Sequence, residues 1–380
     1  MGLCFNGISR ITPCCFLFIV VFIFDGNVQV LSKSTIEPCD GADTCNAMVG
    51  YNLPTDLKIA EVASRFQVDP VALLGANGID VSYQDIENQI LPEKYFVRVP
   101  ITCNCVNGIR KCKSVSYKVR AADTLYTIAN SVFGGLVTSE QVRVANSIGD
   151  PNLIDLGQTL TIPLPCSCFN GTDNGLPAIY LSYVVQPGDT LSGLGIKYGT
   201  TVTDLMTVNA LGTSAIKAGD IIALPLAACS SSISKYSSDA GLLVANGSYT
   251  ITASHCVQCS CGPGDLNLYC APAPLAASCS SMQCKNSDLS IGNTTARPTA
   301  GGCNVTTCSY GGLLNGTILT FLSNALQPRC PGIHVMPNFT RPPSTLTSIA
   351  PSPAVLSVPK SSTHGSSSIL GGLAPANGPT

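Results

Sequence analysis

Carboxylates, imidazoles and thiols are the side chains able to do covalent chemistry, and they are unevenly placed. The five glutamates are Glu37, Glu61, Glu87, Glu93 and Glu140, and beyond residue 230 the only acids are Asp239, Asp265 and Asp288. A glycosidase of the usual kind needs two carboxylates flanking the bond, one kept protonated by its surroundings. The C-terminal acids lie in stretches with no deep-core pattern. The three histidines, His255, His334 and His364, belong to no H-E-x-x-H motif, and no G-x-S-x-G occurs. Cys256 follows His255, but sequence neighbours do not make a nucleophile–base pair. The residues argue against an enzyme.

The chemistry that remains is oxidative. Of 20 cysteines, Cys4, Cys14 and Cys15 fall in an N-terminal segment where Arg10 precedes an apolar run from Ile11 to Phe24, broken by Asp25, Gly26 and Asn27. That run is short for a membrane span of roughly 20 residues and suits a signal peptide over residues 1–31, with a signal anchor as the alternative. The other 17 cysteines fit a secreted chain whose small domains are stapled by disulfides. The odd number leaves one thiol over. Cys256, Cys259 and Cys261 lie near His255 and could hold zinc, but an oxidising compartment favours bridges. Nine cysteines between Cys256 and Cys330 read as a small Cys-rich module at 229–335. No metal and no cofactor is expected. Sequons at Asn170, Asn246, Asn293, Asn304, Asn315 and Asn338 place those asparagines on the surface of a glycoprotein. A formal charge of -2, with 11% charged residues, excludes a nucleic-acid surface and fits a neutral, hydroxyl-rich ligand.

The elements that would position a ligand appear as a repeat. Tyr51, Tyr117 and Tyr183 lie 66 residues apart. Asp56, Asp123 and Asp189 follow in register, each ahead of a leucine. Asn77, Asn146 and Asn209 close a helical pattern in each unit, and the units end at Pro100, Pro163 and Pro225. Each unit reads strand–helix–helix–strand, an α+β arrangement. In the second, Ser116–Val119 alternates as a strand and Asp123 caps a helix carrying Leu125, Ile128 and Ala129. Thr138 and Gln141 form a capping box, and Thr159–Ile162 is a closing strand stopped by Pro163. In the first unit Asp69-Pro70 opens a helix.

The phrase Tyr183-Val184-Val185-Gln186-Pro187-Gly188-Asp189-Thr190-Leu191, closed by Gly219-Asp220 and Leu224-Pro225, resembles the lysin motif (LysM). Asp123-Thr124-Leu125 with Gly157-Gln158-Thr159-Leu160-Thr161-Ile162-Pro163 resembles it nearly as well. The first unit has Leu53-Pro54-Thr55-Asp56-Leu57 instead and rests on register. The resemblance implies three tandem βααβ modules at 47–101, 116–164 and 182–226. Two cysteines one residue apart bridge outward more readily than to each other. The chain resembles plant LysM receptor-like proteins without a kinase. These imply the pairs Cys39–Cys105, Cys45–Cys168 and Cys103–Cys166, leaving Cys112 and Cys229 unassigned.

With no Trp, and with many of the 12 Tyr and 11 Phe at core-like positions, stacking on aromatic platforms gives way to a shallow backbone groove. The family places that groove between two loops. In the second module these are Ala121, Ala122, Asp123, Thr124 and Leu125, facing Ser147, Ile148, Gly149, Asp150, Pro151, Asn152, Leu153 and Ile154. Ile148 and Ile154 would form apolar walls, Leu125 is core or wall, and Asp123 and Thr124 hold the loop. Pro187, Gly188, Asp189 and Thr190, with Leu211 to Ile216, are the third-module equivalents. The resemblance implies binding of chitin oligosaccharides or peptidoglycan in plant innate immunity and signalling through a LysM receptor-like kinase. It also implies homo- or hetero-oligomers with related proteins. A decoy or wall-associated role and a cell-wall hydrolase are the alternatives.

Residues 341–380 contain 24 Pro, Ser, Thr and Gly and read as a disordered stalk. The family commonly ends in a glycosylphosphatidylinositol (GPI) signal, which needs small residues and then an apolar tail. Ser366-Ser367-Ser368 and Gly371-Gly372 supply the former. The apolar tail is absent from this chain, so both anchorage on the outer face of the plasma membrane and release are open.

Overall fold

The computed structural model describes residues 37, 39–41, 43–106, 110–233, 235–262, 266–332 and 339–341. The signal-peptide segment, the tail beyond Arg341, Asn338, His334 and His364 lie outside them.

Three strand–helix–helix–strand units follow one another. The first is β1 (Thr44–Asn52), α1 (Ile59–Phe66), α2 (Pro70–Ala76) and β2 (Phe96–Val106). The second is β3 (Arg110–Lys118), α3 (Leu125–Thr127, widening into a π turn over Ile128–Val132), α4 (Ser139–Ala145) and β4 (Thr159–Leu164). The third is β5 (Leu176–Val184), α5 (Leu191–Tyr198), α6 (Val202–Val208) and β6 (Ile221–Ser230). The helices start where local chemistry says. Asp69 accepts from the Val71 N–H ahead of Pro70, and Thr138 and Gln141 exchange both capping-box bonds.

The units are not beads on a string. With β7 (Leu243–Ala245), their strands form one sheet in the order β7–β6–β5–β1–β2–β3–β4. The first and third units meet through a parallel pairing of Met48 with Leu181 and Val49 with Ser182. The second joins at the far end of β2, where Asn104, still paired with Thr44 of β1, also pairs with Cys112, and Cys105 and Val106 continue the ladder with β3. Units one and two also share one core. Tyr51, Phe66, Phe133 and Tyr117 form a chain of edge-on rings with centroids 4.9, 5.9 and 5.8 Å apart.

The prolines do not stop the strands. Pro100, Pro163 and Pro225 lie inside β2, β4 and β6. Each sits where its strand has a ladder partner on one side only, opposite Met48, Ser114 and Tyr180. A missing N–H on the unpaired side costs no ladder bond. Cys103 and Cys105 likewise lie within β2 rather than in a linker, both on one face of the strand.

Disulfides join Cys39 to Cys105, Cys45 to Cys168 and Cys103 to Cys166. Cys229, at the end of β6, bonds Cys261, and Cys112 is also disulfide-bonded. Cys45, Cys103 and Cys168 cluster closely enough to suggest a metal site, but their sulfurs already belong to two bridges.

The C-terminal half is a second disulfide-bonded layer. Strands β8 (Tyr249–Thr252), β9 (Val257–Cys261) and β10 (Leu268–Pro272) form one sheet, and β11 (Thr294–Thr299), β12 (Gly302–Leu314) and β13 (Thr317–Gln327) another. Bridges 256–279, 259–270, 284–308 and 303–330 hold them. This layer is fused to the first unit. The buried Tyr249 hydroxyl donates to the Ile79 carbonyl at 2.6 Å, and the Tyr249 carbonyl presses on α2 at Gly75, where a Cβ would lie 2.4 Å from it. Thr340 returns to hydrogen-bond Gly78 and Asp80. The described sequons at Asn170, Asn246, Asn293, Asn304 and Asn315 are all exposed.

Candidate functional site

The loop after the first strand is built alike in units two and three. Tyr117 donates its hydroxyl to Asp123 Oδ2 at 2.8 Å, and the Arg120 N–H donates to the same oxygen at 2.7 Å. Tyr183 and the Gln186 N–H do the same to Asp189, both at 2.8 Å. Burial first, then the bond to Asp123, pushes the Tyr117 hydroxyl up to about 12. Tyr183 is raised for the same two reasons. The Asp-Thr order holds two potential caps, and the structure assigns the second. Thr124 Oγ1 accepts from Thr127 N–H at 3.1 Å and Thr190 Oγ1 from Gly193 N–H at 3.0 Å. Asp123 therefore ties the loop to the strand instead of capping the helix. The loop turns through positive φ at Gly188 (90°), where Ala122 (66°) stands in unit two. Glycine meets that demand without strain, which explains the Pro-Gly-Asp-Thr phrase.

The first unit departs from this plan. Asp56 accepts from the Glu93 N–H at 2.7 Å, and the Tyr51 hydroxyl donates to Val132 of unit two at 2.9 Å. Arg65 binds the same hydroxyl. The tyrosine that holds the loop in the other units here docks one unit on another.

The repeated asparagine is an anchor. Asn146 Nδ2 donates to the Val142 and Thr161 carbonyls, both at 2.8 Å, and its Oδ1 accepts from Thr161 N–H at 2.8 Å. Asn77 makes the same three bonds to Leu73 and Arg98, and Asn209 to Leu205 and Ala223. One side chain thus caps a helix C-terminus and mimics a strand neighbour, aiming the loop that follows.

In unit two that loop lies beside the first, because the Val119 N–H donates to the Gln158 carbonyl and the Gly157 N–H to the Val119 carbonyl, both at 2.9 Å. Ala121, Ala122, Thr124, Ser147, Gly149, Asp150, Pro151, Asn152 and Leu153 are exposed, and Asp123 and Ile154 half-buried. Ile148 is core, not wall. It is 8% exposed because Ser147 turns through φ 53° and folds it beneath α4, while Arg143 Nη1 holds its carbonyl at 2.9 Å. Leu125 is core too. Ile154 packs its inner side on the same cluster. Asp150 Oδ1 accepts from the Asn152 N–H at 2.9 Å, closing a turn that leaves Leu153 73% exposed.

Two exposed apolar residues near these loops escaped the sequence reading. Tyr126 follows the cap, off the stripe of Leu125, Ile128 and Ala129, and that periodicity was the available signal. Leu156 is 75% exposed, and nothing in its neighbours distinguishes it. In unit three, Pro187, Gly188, Thr190 and Gly212 to Ala215 are exposed, Asp189 is half-buried, and Leu211 and Ile216 lean on the core. Cys256, considered above for zinc or catalysis, is bonded to Cys279. Asp204 and Asp173 near the third unit are shifted in opposite directions, but Asp204 is spent on hydrogen bonds from Thr201 and Asn174 at the start of α6.

A βααβ unit carrying this Tyr–Asp–Thr loop is a lysin-motif domain. Residues 183–225 match the LysM domain family and residues 113–164 the LYK3/4/5 LysM2 domain. The chain is 57% identical to LysM domain-containing GPI-anchored protein 1 of Arabidopsis thaliana, covering 92% of this chain and 86% of that one. It is 52% identical to LysM domain-containing GPI-anchored protein LYP6 of Oryza sativa subsp. japonica over 88% and 84%. With the rice chitin elicitor-binding protein it shares 34% over 73% and 76%. The chain belongs to the plant LysM domain-containing GPI-anchored proteins.

Proposed function

We propose that this protein is an extracellular pattern-recognition receptor for N-acetylglucosamine polymers, working on the outer face of the plasma membrane in plant innate immunity. The observation that carries this is the pair of adjacent loops at 121–125 and 147–154. They expose backbone and an apolar Leu153 beside a frame fixed by Asp123, Asn146 and the disulfides. An N-acetyl group offers one donor, one acceptor and a methyl. Each hydrogen bond adds roughly 1 kcal/mol and the methyl roughly 0.8. Several sugars along a rigid groove sum such small terms with little ordering cost. The rice relative is named for chitin, and peptidoglycan shares the same sugar. All three units are lysin motifs in this reading. The first is divergent and structural, and unit three offers a second groove at Pro187, Gly188, Asp189 and Thr190. The signal passes to a LysM receptor-like kinase.

Calorimetric titration of the secreted glycoprotein with chitin and muropeptide oligomers of increasing length tests this. Affinity should rise with length and fall about tenfold, or about 1.4 kcal/mol, in Leu153→Ser at unchanged melting temperature. Ile148→Ser should instead lower the melting temperature. No heat with either ligand, from protein shown to be folded, sinks the proposal.

A further inference from the structure

The sheet β11–β12–β13 is poorly covered. Every residue of β11 is exposed, as are Phe321 through Leu326 of β13. Strand β13 is an edge without a charged side chain. Ser280 and Gln283 engage it at Ile318 and Thr320 and a bulge on β12 lies opposite that end, so Phe321 to Leu326 is its open stretch. Folded proteins blunt such edges with lysines, prolines, bulges or a cover, because an uncharged edge recruits another strand.

Asn304 is placed to provide the cover. Unlike the other described sequons, which sit at turns or strand ends, Asn304-Val305-Thr306 lies within the central strand β12. A side chain there projects from the sheet face, not from a loop. Its direct partners are Leu326 on β13 and Arg297 on β11. Opposed residues of an antiparallel pair share a face with Cβ atoms roughly 5 Å apart. Leu326 is 66% exposed, and Thr306, the third residue of the sequon, hydrogen-bonds Asn324 beside it at 2.5 Å.

We propose that an N-linked glycan on Asn304 lies across Leu326 and shields the β13 edge from pairing with a second copy of the chain. The apolar faces of its first sugars cover the leucine, and their hydroxyls keep the surface wet. The glycan thus supplies what lysine or proline supplies elsewhere.

The test compares full-length secreted Asn304→Gln with Thr295→Ala and Thr317→Ala, which delete the sequons at Asn293 and Asn315, by light scattering and binding of an apolar dye. The Asn304 variant should self-associate and bind more dye, the two controls should stay as the parent, and Asn304→Gln with Leu326→Ser should revert. If Asn304→Gln is not secreted, restored secretion by Leu326→Ser supports the proposal and failure to restore it overturns it. Parent-like behaviour of Asn304→Gln, equal association of all three single variants, or an unoccupied Asn304 by glycopeptide mass spectrometry also overturns it.

Discussion

Replacing Asn209 with alanine removes three hydrogen bonds of 2.7–2.8 Å from a side chain only 7% exposed. The Ala223 N–H and the Leu205 and Ala223 carbonyls then lose their shared partner. At about 1 kcal/mol net per bond the cost is about 3 kcal/mol. With an unfolding entropy of about 2.1 cal/mol/K per residue over a folded body of roughly 290 residues, each kcal/mol lowers the melting point by about 1.6 °C, so the drop should be about 5 °C. Differential scanning calorimetry with the disulfides intact reads this directly. Hydrogen exchange of the peptide spanning Ile221–Leu226 should accelerate, because the bond from the Ala223 amide is lost. Replacement by aspartate retains only the acceptor and buries a charge, so it should be worse than alanine. A melting point within a degree of the parent, with unchanged exchange, would refute the anchoring role. Lost glycan binding with unchanged stability would make the asparagine a ligand contact instead.

Raising pH tests the Tyr117–Asp123 lock. Ionisation of free tyrosine occurs near 10, whereas Tyr117 in the folded chain is pushed up to about 12. The unfolded chain therefore loses this proton first, so the contribution of Tyr117 to stability should be fully present below pH 10 and be lost between 10 and 12. The decline should shrink in Tyr117→Phe, and an identical pH profile would refute the lock. Joint replacement of Cys103 and Cys166 by serine opens a loop of 63 residues and should cost up to about 4 kcal/mol, read as a fall in the denaturant midpoint. An unchanged midpoint would show that the neighbouring bridges already hold the units.

Much of this protein is local and therefore legible. Capping boxes, Asp69-Pro70 and the 66-residue spacing depend on neighbours within a few residues, so the elements and their repetition can be read directly. Surface asparagines in sequons are legible for the same reason. Burial within a loop is not. Ile148 and Leu153 are both aliphatic residues of one loop, yet Ser147 turns one inward and the Asp150 turn leaves the other out. The Asp-Thr pair offers two caps of equal quality, and only the placement of Tyr117 decides which carries the helix.

The sequence by itself determined the βααβ units and the disulfide-stapled character of the chain, because periodicity, turn chemistry and cysteine content are local properties. Tertiary structure alone decided that the three units share one sheet, that Tyr51 serves the interface instead of its own loop, and that the C-terminal layer rests on Gly75. Those outcomes depend on residues 80 to 170 positions apart meeting with complementary hydrogen-bonding groups, as Tyr51 meets Val132 and Tyr249 meets Ile79. No local pattern encodes which distant carbonyl will be waiting.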